Sequence, residues 1–365
     1  MIAISFLRVC MMGTIVGVGL TGCSQPSNSN NKAVNNSPKS DSTATVTTNS
    51  ATTIATKAPK KIAITAIVEH PSLDTIRQGV IDELAAEGYK QGENLTIDFQ
   101  SAQGNPATAG QIAKQFVGEN PDAIVAISTP SAQTIVANTT TIPVIYTAVS
   151  DPVAAKLTDS NNKPTQANIT GLSSQLPLAP QFDFIQQIMP NAKSIGYVFS
   201  SGEANSVSLG NRLKAELPKR GLTLVDIPAV RSTDVAPATK ALQGKAQMIY
   251  TSMDNNVASA FESMVLAANT MKMPIIASDE FSVRRGATAA LGVNDYDFGR
   301  ATGKMVGKIL DGSTPAQVAP QMISDLTLYV SPKNAQAQGI TLPEDVLNKA
   351  VNVDTTPAKL PTKPL

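Results

Sequence analysis

The chain has no tryptophan, one histidine and two cysteines among 365 residues. Aromatic residues make up 4 % and charged residues 16 %. A lone histidine, His70, cannot build a multi-histidine metal site. Both cysteines, Cys10 and Cys23, lie near the N-terminus. The long remainder therefore carries no disulfide framework, no thiolate metal site and no cysteine nucleophile. Lysine and arginine number 29 against 28 acidic residues, for a net charge of +1. Such a balance gives no basic field for nucleic acid and no acidic tail. The body has no phosphate-binding glycine loop, no Cys/His cluster and no Gly-x-Ser-x-Gly elbow. On the enzyme side this leaves only a hydrolase that works with carboxylates alone. No metal and no cofactor is expected.

Long apolar runs are also scarce. The one candidate is at the start, where Arg8 precedes the apolar run Val9 to Leu20 and then Leu20-Thr21-Gly22-Cys23. That run is short for a bilayer span and ends in small residues, the shape of a signal peptide over residues 1–22. Its ending resembles a bacterial lipobox. The resemblance implies cleavage before Cys23 and acylation of its thiol; a plain signal peptide with a chance cysteine nearby is the alternative. Two acyl chains suffice for stable anchoring, since each buried methylene contributes about 0.8 kcal/mol.

Residues 23–60 follow as a tether of Ser, Thr, Asn, Ala, Pro and Lys with hardly any large apolar side chain. Such a segment buries too little surface to offset the entropy of ordering, and disorder is expected. A coil of ~37 residues spans roughly 30 Å, enough to hold a folded body beside a membrane-embedded partner. A second disordered stretch is expected over residues 353–365.

The body between them alternates strand and helix. Short runs rich in Val, Ile and Ala read as buried parallel strands at Lys61–Val68, Asn94–Ser101, Ala123–Ser128, Val144–Val149 and Ile169–Ser173. A second set reads at Ser194–Ser200, Thr223–Ala229, Gln247–Ser252, Pro274–Ser278 and Thr288–Val293. Amphipathic helices are predicted at Leu73–Glu87, Ala107–Gly118, Gln181–Met189, Ser206–Leu217, Val257–Met271 and Tyr296–Leu310. Parallel strands joined by helical crossovers give doubly wound sheets. The fold class is α/β, with two such lobes. Lobe one is expected over 61–172 plus 295–325, and lobe two over 173–294 plus 326–352.

Ligands of open α/β sheets bind beyond the carboxyl ends of the strands. In lobe one those ends carry Glu69-His70-Pro71-Ser72, Ser128-Thr129-Pro130-Ser131 and Ser150-Asp151-Pro152. In lobe two they carry Ser200 to Ser206, with Glu203 and Asn205 among them, then Met253-Asp254-Asn255-Asn256 and Ser278-Asp279-Glu280. Hydroxyls at helix starts favour an anion, because unpaired N–H groups and the helix dipole point there. Carboxylates favour a cation. A cleft with one seat of each kind suits a zwitterion such as an amino acid, with Asp254 as the expected partner of its ammonium group. Helix capping is the plain alternative for each of these residues. His70, before a proline at a strand end, either faces the cleft or serves only in the loop.

These segments also resemble a known family. Ser128-Thr129-Pro130-Ser131-Ala132-Gln133, Ser150-Asp151-Pro152-Val153 and Asn168-Ile169-Thr170-Gly171 are similar to segments of the ABC-transporter substrate-binding proteins that include tryptophan- and tyrosine-binding lipoproteins. So are Ser200 to Ser206, Asp254 to Phe261 and Gly299 to Lys304. The resemblance runs from about Lys61 to Ala350. It implies a type I periplasmic-binding-protein fold, two lobes joined by a hinge, with Tyr296–Leu310 rejoining lobe one. It implies an extracytoplasmic, non-enzymatic monomer that closes on a small molecule and docks on an ABC permease driven by a separate ATPase. Some members take aromatic amino acids. Carried onto this chain, the ligand contacts are Ser72, Thr129, Ser131 and Asp151 from lobe one, and Glu203, Asn205, Ser206, Asp254 and Asp279 from lobe two. A sugar- or nucleoside-type receptor on the same fold is the alternative. Sugar sites lean on stacked aromatics, of which only Tyr146, Phe199 and Phe281 stand near strand ends here.

Overall fold

The computed structural model describes residues 57–322 and 325–358. The expected leader, Cys23, most of the tether and residues 359–365 lie outside the described residues. The chain opens with β1 (Lys60–Ala66), α1 (Pro71–Ala86), β2 (Leu95–Ser101), α2 (Pro106–Glu119), β3 (Ala123–Ile127), α3 (Thr129–Val136), β4 (Val144–Val149) and β5 (Ile169–Ser173). It continues with α4 (Leu178–Ile188), β6 (Ser194–Phe199), α5 (Ala204–Glu216), β7 (Thr223–Pro228), α6 (Val235–Lys240), β8 (Met248–Tyr250), α7 (Asn255–Ser259) and α8 (Phe261–Met271). Then come β9 (Ile275–Asp279), α9 (Glu280–Arg284), β10 (Ala289–Val293), α10 (Asp295–Leu310), β11 (Gln321–Met322), β12 (Thr327–Val330), α11 (Pro332–Ala337), α12 (Glu344–Leu347) and β13 (Val351–Asn352).

Two sheets result, both within one compact unit. The first has the order β11-β5-β4-β3-β1-β2 and is parallel throughout. The second has the order β13-β12-β10-β9-β8-β6-β7 and is parallel except where β12 runs antiparallel to β10. Central strands such as β3 (Ala-Ile-Val-Ala-Ile) are buried at every residue, as a sheet covered by helices on both faces requires. Edge strands β2 and β7 are only partly buried and mix in Asp, Gln and Thr. One hydrophobic core surrounds the first sheet and includes Phe298, Met305 and Val306 of α10. Two further clusters flank the second sheet.

Helix α10 lies along α1 through glycines. A Cβ at Gly79 would sit 2.9 Å from the Arg300 nitrogen, and one at Gly299 would sit 2.9 Å from the Ile76 Cα. The two axes therefore pack closer than side chains would allow. A chain that has just left β10 of the second sheet is thereby returned to the first, and β11 and β12 then continue in the first and second sheets respectively.

Three departures from the sequence reading have local causes. The helix expected over Val257–Met271 is broken at Ala260 (φ −118°, ψ 24°), which sets Phe261 into the interior at 2 % exposure. Ser259 donates to the Asn255 carbonyl at 2.8 Å and Ser263 to the Ala260 carbonyl at 2.7 Å, so hydroxyls hold the break from both sides. The strands β11, β12 and β13, of two to four residues, are too short to show a period. Finally, the start of the expected disordered tail is fixed. The Val353 N–H donates to the Val330 carbonyl at 2.9 Å, Asp354 accepts from Ser331 at 2.7 Å, and the Thr356 carbonyl accepts from Arg284 at 2.8 Å.

Candidate ligand cleft

The carboxyl ends of β1, β3 and β4 face those of β8 and β9 across a cavity. From the first sheet it is lined by Val68, His70, Ser72, Leu73, Ser128, Thr129 and Ala148. From the second come Thr251 to Asn255, Val257, Ala258, Phe261, Asp279 and Ser282. The lining is divided: Val68, Leu73, Val257 and Phe261 offer an apolar surface, while hydroxyls and two carboxylates offer a polar one. Two adjoining spaces extend the cleft. One shares Ser252 and holds Asp151 and Asn205; the other shares Val68 and Asn255 and holds Glu203.

The backbone is strained where it borders the cavity. Ser128 (φ 81°), Ala148 (φ 54°) and Met253 (φ 46°) all sit in the left-handed region. A non-glycine residue there costs on the order of 1–3 kcal/mol, and such strain gathers at functional sites. Each lies at or just past the carboxyl end of a strand, where the turn must present its polar groups to the ligand space.

Of the nine candidate residues, Ser72, Thr129, Asp254 and Asp279 line the main cavity. Asp151, Asn205 and Glu203 line its extensions. Ser131 and Ser206 stand behind the wall: Ser131 shares a 3.5 Å contact with the Ser128 hydroxyl, and Ser206 donates to Asp254 at 2.8 Å. Sequence reasoning left out Thr251, Ser252, Phe261 and Ser282, and left His70 undecided. Phe261 is visible only once the helix break is known. The aromatics noted near strand ends do not line the cavity: Tyr146 is fully buried and Phe199 stacks on Tyr197 at 5.4 Å.

The two cleft carboxylates differ. Asp254 accepts four hydrogen bonds, from the Ser200 N–H (2.6 Å), the Ser200 hydroxyl (2.7 Å), the Ser206 hydroxyl (2.8 Å) and the Val257 N–H (2.9 Å). A carboxylate has about four lone-pair sites, so Asp254 has none left over. Through these bonds Asp254 ties the end of β6 to the start of α7. Asp279 accepts three, from the Ser282 N–H (2.7 Å), the Ser282 hydroxyl (2.6 Å) and, across the cleft, the Ser72 hydroxyl (3.2 Å). It keeps one site open.

Other contacts also bridge the two walls. Ser208 of α5 donates to Asp151, and His70 Nε2 meets the Arg285 guanidinium. The His70 Nδ1 accepts the Ser72 N–H at 3.2 Å, capping α1. Burial holds the His70 pKa down to about 4, with the Arg285 charge acting in the same direction against Asp279. Glu203 accepts from the Asn255 side chain at 2.6 Å and from Asn205 at 3.2 Å. Burial, reinforced by the Asp254 charge, pushes its pKa up to about 7 against those hydrogen bonds. Helix α3 stands apart from α1, α7, α9 and α10: no side chain caps its N-terminus, which opens on the cavity at Ser128 and Thr129.

The family model for ABC transporter substrate binding proteins matches residues 61–354. The chain belongs to this family. Its members bind solutes and are not enzymes. A curated relative, the tyrosine-binding protein of Clostridioides difficile, is 36 % identical over 324 residues, covering 88 % of this chain and 89 % of that one. Among solved structures, an ABC domain in complex with L-Trp from Streptococcus pneumonia is 35 % identical with a TM-score of 0.77, covering 81 % of this chain and 99 % of that one. The ligand-free, open structure of a substrate binding protein from Clostridium difficile is 36 % identical with a TM-score of only 0.62, covering 80 % and 99 %.

Proposed function

We propose that this protein is the extracytoplasmic solute-binding component of an ABC import system and that its ligand is an aromatic amino acid. The divided lining of the cavity carries the reading. Val68, Leu73, Val257 and Phe261 form an apolar wall for a large side chain. The uncapped start of α3 at Ser128 and Thr129 suits the ligand carboxylate, since free N–H groups and the helix dipole favour an anion. Asp279, with its open lone-pair site, takes the ammonium group. Buried charges need paired, hydrogen-bonded partners, and these two seats supply one for each formal charge. Asp151, Asn205 and Glu203 close the ends of the cleft; Ser131, Ser206 and Asp254 hold its walls. The tyrosine and tryptophan named for the relatives are of the same chemical class.

Closure is the functional event. A ligand touching both walls shifts the hinge equilibrium by its differential affinity for the closed state. The closed body is then recognised by a permease subunit. Acylation at Cys23 and the tether up to residue 60 would keep that body near the membrane, with residues 61–172 and 295–325 as lobe one and 173–294 and 326–352 as lobe two. Titration calorimetry against L-tyrosine, L-tryptophan, leucine and glucose tests the ligand class. Micromolar or tighter binding of an aromatic amino acid is expected, and preference for glucose or the absence of any amino-acid binding would overturn it.

A further inference from the structure

Asp295 is the most conspicuous buried group outside the lining of the ligand cavity. It opens α10, is 2 % exposed, and neither of its carboxylate oxygens has a hydrogen-bond partner of standard geometry. It is not needed as a helix cap, because the Asn294 side chain already accepts the Asp297 N–H at 3.1 Å. Isolated buried carboxylates are costly, and native structures almost always pair them.

The groups that face it bring no positive charge. Asp279 at the end of β9 and Glu280 at the start of α9 add negative charge, and Ser72 of α1 adds a hydroxyl. Glu280 is already matched by Arg284 at 2.6 Å. The Tyr329 phenol of β12 is held above its ordinary pKa chiefly by burial, with Glu280 and Asp295 adding to it. What remains uncompensated is the pair Asp279 and Asp295 with Ser72 beside both. Ser72 and Asp279 line the ligand cavity. The spot lacks one cation and adjoins the place where an amino-acid ligand brings one.

We propose that Asp295 is the second carboxylate of the ammonium seat, acting behind Asp279, and that amino-acid binding expels a proton from this acid pair. This rests on the amino-acid reading above. In the empty protein Asp295 is protonated and donates to Ser72 Oγ, whose own proton goes to Asp279. Burial, then the Asp279 charge, hold the Asp295 carboxyl well above the usual carboxylate range. When an ammonium group arrives, its positive charge stabilises both carboxylates. The O–H bond of Asp295 breaks, the proton passes to solvent, and the ligand stays fully protonated. Charge balances: one cation in, one proton out.

Calorimetry of the full chain in phosphate and in Tris at pH 6 to 7 counts the protons released. Close to one proton per L-tyrosine or L-tryptophan is expected, and none with the des-amino analogue 3-(4-hydroxyphenyl)propionate. Asp295→Asn should release none, bind the amino acid about 10- to 100-fold more weakly, the range of a charge-assisted hydrogen bond, and leave affinity for the analogue within a few-fold. Because the proton count is read on the unmodified protein, a poorly folding variant does not decide the matter. Amino-acid binding without proton release, or unchanged affinity in Asp295→Asn, overturns the proposal while leaving the ligand class standing. Absence of amino-acid binding sinks both.

Discussion

At the residue scale, Asp254 shows how a sequence signal can mark a place while the packing around it bears on the role. An aspartate followed by two asparagines at a strand end is more than a cap needs, and it does line the cavity. Its four lone-pair sites are nonetheless all taken by the chain itself. Asp254→Ala leaves two buried N–H groups and two hydroxyls without acceptors, at roughly 1–3 kcal/mol for each group that water cannot reach. A loss of about 2–5 kcal/mol in the empty protein is therefore expected, seen as a lower midpoint in urea. An unchanged midpoint would return Asp254 to the role of ligand contact.

Glu203 makes a second residue-scale prediction. Its folded-state pKa of about 7 lies above the ordinary 4.5. A raised carboxyl pKa means that the folded state holds the proton more tightly than the unfolded chain. Below pH ~4.5 both states are protonated and nothing is lost; between that pH and about 7 stability falls; above it the loss is complete. At ~1.4 kcal/mol per pH unit the loss reaches about 3 kcal/mol. Glu203→Gln should flatten the slope of melting temperature between pH 5 and 8, and an equally steep slope in that variant would remove Glu203 as its source.

At the scale of elements, much was legible and the reason is physical. Strands β3 and β4 are buried on both faces, so their sequences are continuous apolar runs that no surface segment imitates. The strand ends were legible because hydroxyls, acids and prolines cluster there. Helix α9 was not, because five residues are too few for a period. Phe261 was hidden because the break at Ala260 turns it away from the helical register expected of it. Asp295 reads as an ordinary first-turn acid, and only the packing of α10 against its neighbours shows it to be buried. The close packing of α1 on α10 is itself testable. A Cβ at Gly303 would stand 2.6 Å from the Glu83 Cβ and 2.9 Å from the Val80 carbonyl oxygen. Gly303→Ala should force the helices apart and cost about 1–3 kcal/mol, as overpacking does. Since α10 carries the second of three crossings between the sheets, that variant should also bind ligand more weakly; unchanged stability would mean that the interface has slack.

At the scale of the whole molecule, the proposed closure depends on what the contacts across the cleft contribute. The bridging contacts are few and polar: Ser72 to Asp279, Ser208 to Asp151, and His70 to Arg285. Each replaces bonds to water in the open form, so each contributes only about 0.5–1.5 kcal/mol net. The His70 contact also costs something, because a neutral imidazole has one acceptor nitrogen, while the Ser72 N–H and the guanidinium each require one. On the proposed mechanism, three such contacts make closure accessible to the empty protein and leave the ligand to supply the decisive bias. The apparent affinity then scales with the fraction already closed. Ser208→Ala removes one bridge at the cleft edge. It should raise the radius of gyration of the empty protein in small-angle scattering, leave that of the saturated protein unchanged, and weaken binding about 3- to 10-fold, the equivalent of one such hydrogen bond. If the variant bound as tightly as the parent chain and scattered identically in both states, the bridges would be bystanders and the hinge angle would be set within the crossings alone.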